Sequence, residues 1–222
     1  KITKLLVANR GEIAIRVFRA ASELNIKTFA VYTYEDRYSL HRYKADEAYQ
    51  IGKDNEPLKP YLDIEEIIGV AKKTNVDAIH PGYGFLSENV RLATRCREEG
   101  IIFIGPDPEV MEQLGDKVRA KLVALKANVP VIPDNTIPLT NPAIALTEAK
   151  KIGFPLILKA AAGGGGRGMR VIRDKESLER NLSEAKREAL NGFGDETIFM
   201  EKFIESPKHI EVQILGDRHG NI

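Results

Sequence analysis

Between Leu156 and Ile172 the chain reads LILKAAAGGGGRGMRVI, with four consecutive glycines, Gly163 to Gly166, and a fifth at Gly168. Without a Cβ, a glycine run lets backbone lie close to an anion, and it also writes slack linkers. Gly163, Gly165 and Gly168 satisfy the formal pattern G-x-G-x-x-G. A dinucleotide fingerprint, however, must open into a helix whose N-terminus holds the pyrophosphate. Here the loop opens into Met169-Arg170-Val171-Ile172-Arg173, which is extended in pattern, and no G-x-x-x-x-G-K-[ST] occurs in the chain. What remains is a hairpin with a glycine tip. Its successive amide N–H groups can fold over a polyphosphate, with Lys159 supplying a point charge and Arg167 inside the tip. A mere linker would mix Ser with Gly and lack flanking cations. As a lid, this segment is expected to be among the most mobile.

The second stretch with chemical content is FMEKFIESPKHIEVQIL, residues 199–215. Glu201 and Lys202 stand where an extended run breaks toward a loop, and Ile204 is apolar. A carboxylate, a backbone N–H/C=O pair and an aliphatic wall suit a purine with an exocyclic amine. Beyond it Ile210, Val212 and Ile214 alternate with His209, Glu211 and Gln213, a strand pattern with one polar face that solvent alone would also explain. Lys117, in QLGDKVRAK, sits in a charged helix where most lysines are simply solvated. HPGYGFLSEN (80–89) gathers turn and capping residues, among them Ser87 and Asn89, with His80 as a candidate buried imidazole. No nucleophile–base pair and no His/Cys cluster with metal-ligand spacing is legible.

These residues need elements to hold them. KLLVAN, KTFAVYT, DEAYQIG, DAIHPG and IIFIGP read as short buried strands that alternate with helices GEIAIRVFRAASELN, YLDIEEIIGVAKKTN and NVRLATRCREEG. In the first helix Ile13, Val17, Ala20 and Leu24 have helical spacing. This βαβ rhythm predicts a doubly wound parallel sheet ending near residue 106, with ligands beyond the carboxyl ends of its strands. One helical stretch, about 107–128, leads to a Pro-rich loop without periodicity. A helix at 141–153, strands at 155–160 and 169–173, a charged helix at 175–191 and strands at 196–203 and 209–217 follow. That second half is α+β. The closing turn, Gly216 to Gly220, would feed another strand, so a longer polypeptide is expected.

Composition narrows the class. The 222 residues carry 33 Lys+Arg against 32 Asp+Glu, so no global field recruits nucleic acid or an anionic membrane. The single cysteine, Cys96, lies in a helical pattern and reads as a small core residue. No apolar run approaches spanning length, and the N-terminus opens into a strand without a signal segment, which points to cytoplasm or, in a eukaryote, the mitochondrial matrix.

LLVANRGEIAIRVFRA, DAIHPGYGFLSEN, IIFIGP, LGDKVRAK, LKAAAGGGGRGMRVI and MEKFIESPKHIEVQILGD, in this order, resemble the biotin carboxylase component of biotin-dependent carboxylases. HRYKADEAYQIG (41–52) is similar to the pyruvate carboxylase branch. The resemblance implies a pre-ATP-grasp N-terminal domain at 1–115 and the first part of an ATP-grasp domain at 116–222. The latter includes a glycine-rich lid subdomain at about 131–204. It implies a ligase that uses ATP with Mg2+ to activate bicarbonate as carboxyphosphate and then carboxylates biotin held on a separate carrier domain. By matched motif, Lys117 and Lys159 would bind ATP phosphates, Gly165 and Gly166 would lie in the lid, Glu201, Lys202, Phe203 and Ile204 would form the adenine hinge, and His209 would also meet the nucleotide. Ala162 stands where some members have another glycine.

The same resemblance places the family's magnesium carboxylates, bicarbonate groups, catalytic residues and biotin-contacting arginine beyond residue 222. These 222 residues alone are therefore expected to be inactive. The family also forms dimers, or tetramers in longer enzymes, and Arg16, Arg19 and Glu23 project from the polar face of the first helix. A solvated charged face explains them equally well. Other readings stay open: the biotin carboxylase of an acyl-CoA carboxylase, another ATP-grasp ligase, or a noncatalytic nucleotide-binding module.

Overall fold

The computed structural model describes residues 1–135, 137–161, 169–217 and 219–222, and within them the side chains of all but Lys117 and Phe193. The chain forms two compact units, Lys1–Val129 and Pro130–Ile222.

The first unit runs β1 (Lys4–Val7), α1 (Gly11–Glu23), β2 (Lys27–Tyr32), α2 (Leu40–Lys44), β3 (Glu47–Gln50), α3 (Ile64–Thr74), β4 (Ala78–His80), α4 (Val90–Glu98), β5 (Ile102–Phe103), α5 (Pro108–Gly115) and α6 (Lys117–Lys126). Its strands make one parallel sheet in the order β3-β2-β1-β4-β5. Side-chain alternation divides the sheet between two cores. Leu6, Phe29, Val31 and Ile79 pack with Ile64, Ile67, Ile68 and Ala71 of α3 and with Leu92 and Cys96 of α4. Leu5, Val7, Ala30 and Ala78 pack with Ala14, Val17, Phe18 and Ala21 of α1. Helices therefore cover both faces, which is why these strands read as continuous apolar runs. The sheet is the doubly wound architecture expected from the βαβ rhythm.

Details differ from expectation. The buried stripe of α1 is Ala14, Val17, Phe18 and Ala21, not Ile13, Val17, Ala20 and Leu24, and Leu24 is 70% exposed. Small alanines let the helix approach the sheet closely, and that contact chooses the face. The stretch 107–128 is two helices, because Asp116 is extended and caps α6 by accepting from the Arg119 amide at 2.8 Å. Cys96 is fully buried, and burial pushes its thiol up to about 12, so it packs rather than reacts.

The second unit contains α7 (Pro142–Ile152), β6 (Leu156–Ala160), β7 (Arg170–Ile172), α8 (Lys175–Phe193) and β8 (Ile198–Lys202). The strands form an antiparallel sheet ordered β7-β6-β8. Leu156, Leu158, Ile172, Ile198 and Met200 face Ala145 and Ala149 of α7 and Leu178, Leu182, Ala185 and Ala189 of α8. Asn141 caps α7 ahead of Pro142, and Asp174 with Ser177 forms a capping box on α8.

The Pro-rich segment is more ordered than its composition suggests. It runs along the outer edge of β8, with Leu139 N donating to Ile198 O at 3.0 Å and Lys202 N to Pro133 O at 2.8 Å. Asn135 is buried there, its amide bonded to Met200 O at 3.1 Å. Prolines suit this position, since a segment lining one edge needs few donors of its own. The expected strand at 209–217 does not form among the described residues: Ile210, Val212 and Ile214 are exposed. A strand exists only with a partner. β6 is flanked on both sides, and Pro133, Asn135 and Leu139 line the free edge of β8, leaving three-residue β7 as the remaining edge among the described strands.

Among the described residues, no helix is long and apolar enough to cross a membrane.

Candidate functional site

The three-stranded sheet has two unlike faces. Leu156, Leu158, Ala160, Ile198 and Met200 point into the helix-covered core. The alternate positions Ile157 and Lys159 on β6, Val171 on β7 and Phe199 and Glu201 on β8 share the opposite face and stay partly exposed. The register sets Ile157 opposite Glu201 and Lys159 opposite Phe199. Lys159 and Glu201 are thus diagonal neighbours, and the Lys159 ammonium donates to Glu201 Oε2. Their side chains are 43% and 22% exposed. A cation, a carboxylate and apolar side chains on one accessible face are what a phosphorylated, base-bearing ligand requires.

Lys202 behaves differently from its neighbour. Standing opposite Leu156, it belongs to the other face, and its ammonium donates to Gly153 O at 3.0 Å and Phe154 O at 2.6 Å. Those carbonyls lie in the turn that follows α7, so Lys202 ties down that turn rather than joining Lys159. Phe203 N donates to Pro155 O at 3.0 Å, and Ile204 is exposed. His209 lies in the segment without strand pairing, its Nε2 3.5 Å from Glu211. Gly165 and Gly166, with Ala162 and Arg167, fall outside the described residues, as does the expected mobility of that tip. Lys117 opens α6 in the first unit, and its side chain is likewise outside the description.

The carboxyl end of the parallel sheet holds the other sequence motifs. The strand order reverses between β1 and β4, where open α/β sheets bind ligands. Asn9, buried after β1, donates through Nδ2 to Pro81 O at 2.7 Å and Tyr83 O at 2.9 Å. This locks ANRGE against HPGYG. Gly82 has φ +67, and a Cβ there would meet Asn9 Nδ2 at 2.6 Å, so only glycine fits. His80 Nδ1 accepts from Gly82 N at 2.9 Å, burial lowers its pKa, and Tyr83 donates to Glu12. Asn89, not Ser87, caps α4.

Sequence reasoning missed a polar cluster beside these loops. Arg10 grips Asp36 through two nitrogens, and Tyr61 and Ser39 hydroxyls donate to the same carboxylate, Tyr61 at 2.7 Å and Ser39 at 2.9 Å. Burial pushes the Asp36 carboxyl up, but the Arg10 guanidinium and the hydroxyls outweigh it and hold it below its ordinary range. Burial and the same carboxylate raise the Tyr61 phenol. An acid whose guanidinium and phenol partners, Arg10 and Tyr61, lie 25 residues or more away leaves little local signal. Arg16, Arg19 and Glu23 are exposed on α1, as expected, and Arg19 and Glu23 line an open depression of about 470 Å³ with Ile15, Phe18, Ser22 and Lys44. Among the described residues, no group of three or more His, Cys, Asp or Glu is placed to hold a metal ion.

Comparison with known proteins matches both units. Residues 1–111 match the family described as biotin carboxylase, N-terminal domain, and residues 116–222 match carbamoyl-phosphate synthase L chain, ATP binding domain. Pyruvate carboxylase of Staphylococcus aureus is 57% identical over 222 residues, all of this chain and 19% of that protein. The chain thus spans about a fifth of the length of the curated relatives it matches. Biotin carboxylase of Campylobacter jejuni, solved as a complex with β-γ-ATP, is 47% identical with a TM-score of 0.84, covering 100% of this chain and 49% of that one. The biotin carboxylase domain dimer of Hydrogenobacter thermophilus 2-oxoglutarate carboxylase, in complex with MgADP, ADP and bicarbonate, is 50% identical with a TM-score of 0.81, covering 98% and 48%. The parallel and antiparallel sheets match these structures. The chain belongs to the biotin carboxylase family, carrying its N-terminal domain and an ATP-binding domain.

Proposed function

We propose that this chain is the ATP-binding N-terminal part of a biotin carboxylase within a pyruvate carboxylase. Together with further residues of the family's catalytic set, it would use ATP and Mg2+ to activate bicarbonate as carboxyphosphate and carboxylate biotin on a carrier domain. The observation that carries the reading is the open sheet face on which Lys159 and Glu201 meet, immediately before the glycine run. Identity with pyruvate carboxylases above half, and the nucleotide complexes of similar structures, support it.

Lys159 neutralises phosphate charge, and Glu201 accepts from an exocyclic amine. Ile204 and the backbone of Glu201 to Phe203 bound the base, with the Lys202 side chain bracing the hinge from the far face. Lys117, Gly165, Gly166 and His209 complete the nucleotide contacts, and the glycine hairpin, within a lid of about 131–204, excludes water. Phosphoryl transfer depends on such positioning and charge neutralisation more than on covalent help. The domain division falls near 115/116, and Arg16, Arg19 and Glu23 form a self-association surface. Cytoplasm or a mitochondrial matrix suits such an enzyme.

The magnesium, bicarbonate and biotin groups are assigned to residues outside this chain. The 222 residues should therefore bind ATP weakly and not turn it over. Steady-state assay checks this: bicarbonate-dependent ATP hydrolysis by the chain alone would contradict the division of labour. Loss of ATP binding in Lys159→Met, with the fold intact, would support the assigned site.

A further inference from the structure

The Lys159–Glu201 contact joins two groups assigned to opposite ends of one ligand, phosphate and base. Resting on that nucleotide reading, we infer that Glu201 is a positioning residue for Lys159 as well as a base acceptor, so that arrival of the base releases the lysine for phosphate. The two groups sit on adjacent antiparallel strands at a diagonal position fixed by the β6–β8 register. Their contact therefore needs no loop rearrangement to form or break. A carboxylate on the ammonium offsets its charge, which weakens attraction for an anion. When an exocyclic amine takes the same carboxylate, the offset falls.

The neighbouring cations Lys202, Arg170 and Arg173 do not replace Lys159. The Lys202 ammonium is held on the far side by Gly153 O and Phe154 O. Arg170 is committed to Glu184 and Glu188 of α8, and Arg173 to Glu205. Lys159 is the cation of β6 on the open face, and Glu201 is the carboxylate that holds it. Base and phosphate subsites are then coupled through one ion pair, and the coupling must be reciprocal. The consequence is selectivity: a phosphate compound without a suitable base meets a neutralised lysine, whereas an adenine nucleotide frees it.

Inorganic tripolyphosphate, which carries charge and no base, separates this from simple base recognition. Its affinity for the chain is read from amide shifts in 1H–15N spectra, which also report whether each variant is folded. Glu201→Gln should bind tripolyphosphate about threefold more tightly than wild type, the scale of a partly exposed ion pair. Saturating adenosine should tighten wild-type binding by a similar factor and leave Glu201→Gln unchanged. Lys159→Met should bind more weakly and respond to neither. If wild type binds ATP but either the Glu201→Gln gain or the adenosine effect is absent, the coupling is overturned and the nucleotide site stands. A wild-type chain that binds neither ATP nor tripolyphosphate overturns both.

Discussion

The five-stranded sheet of the first unit is covered by helices on both faces, whereas the three-stranded sheet of the second has helices on one face and a charged, half-open surface on the other. The first arrangement leaves its functional groups to the loops at the strand ends. There Asn9 is already satisfied by the Pro81 and Tyr83 carbonyls, and Asp36 by Arg10, Tyr61 and Ser39. The second puts Lys159 and Glu201 in mid-strand on an accessible surface, where their main partner is each other. Burial on both sides stabilises, and one open side creates a place for a ligand.

Core truncation should separate the faces most strongly. Leu158→Ala, on the helix-covered face, should cost about 3 kcal/mol of unit stability, while Ile157→Ala on the open face should cost less than about 1 kcal/mol. Urea unfolding read by probes in the second unit checks this, and equal losses would erase the distinction. In the first unit, Asp36→Asn weakens the acceptor for Arg10 and Tyr61 and should cost about 2 kcal/mol, leaving the second unit unchanged. Lys159→Met should reverse that pattern, with unfolding unaffected and ATP affinity about tenfold lower, the loss of one charge-assisted contact.

A pH effect should appear in the first unit. His41 is fully buried, and burial lowers its pKa against the opposing pull of the Val31 carbonyl. The unfolded imidazole takes a proton near pH 6.5 while the folded one resists it. Its contribution is therefore complete above about pH 6.5 and falls as pH drops below it. The midpoint of the first unit should decline between pH 7 and 5, less steeply in His41→Gln. His80 shifts in the same direction and should leave a residual slope. Arg95→Ala should have the smallest effect, although Arg95 reaches Glu65 at 2.8 Å, Glu98 at 2.9 Å and Glu99 at 3.0 Å. Glu65 and Glu98 are exposed and Arg95 and Glu99 half-buried, so water competes with much of what these pairs contribute.

What could be read in advance follows the same division. The βαβ rhythm, the Asn89 cap and the buried Cys96 are local patterns, and they were legible. The face of α1 was not, because Ala20 and Leu24 are as apolar as Ala14 and Phe18, and only the sheet contact decides between them. HIEVQILGD has strand alternation, but pairing depends on a free edge elsewhere. Asp36 looks like any acid in Tyr34-Glu35-Asp36 until folding brings Arg10 and Tyr61 to it. Lys159 and Glu201 each stand out in the sequence beside the glycine run and the hinge segment. Their contact does not, since it depends on a register spanning 42 residues.

The central claim is that the open face of the small sheet, not the strand-end loops of the parallel sheet, receives the nucleotide base and phosphates. Titrating the chain with ATP while following assigned amides tests it directly. Shifts should concentrate at Ile157–Lys159 and Phe199–Ile204. Shifts confined to Asn9–Gly11 and Pro81–Gly84, or none on β6 and β8 at concentrations that saturate binding, would contradict it.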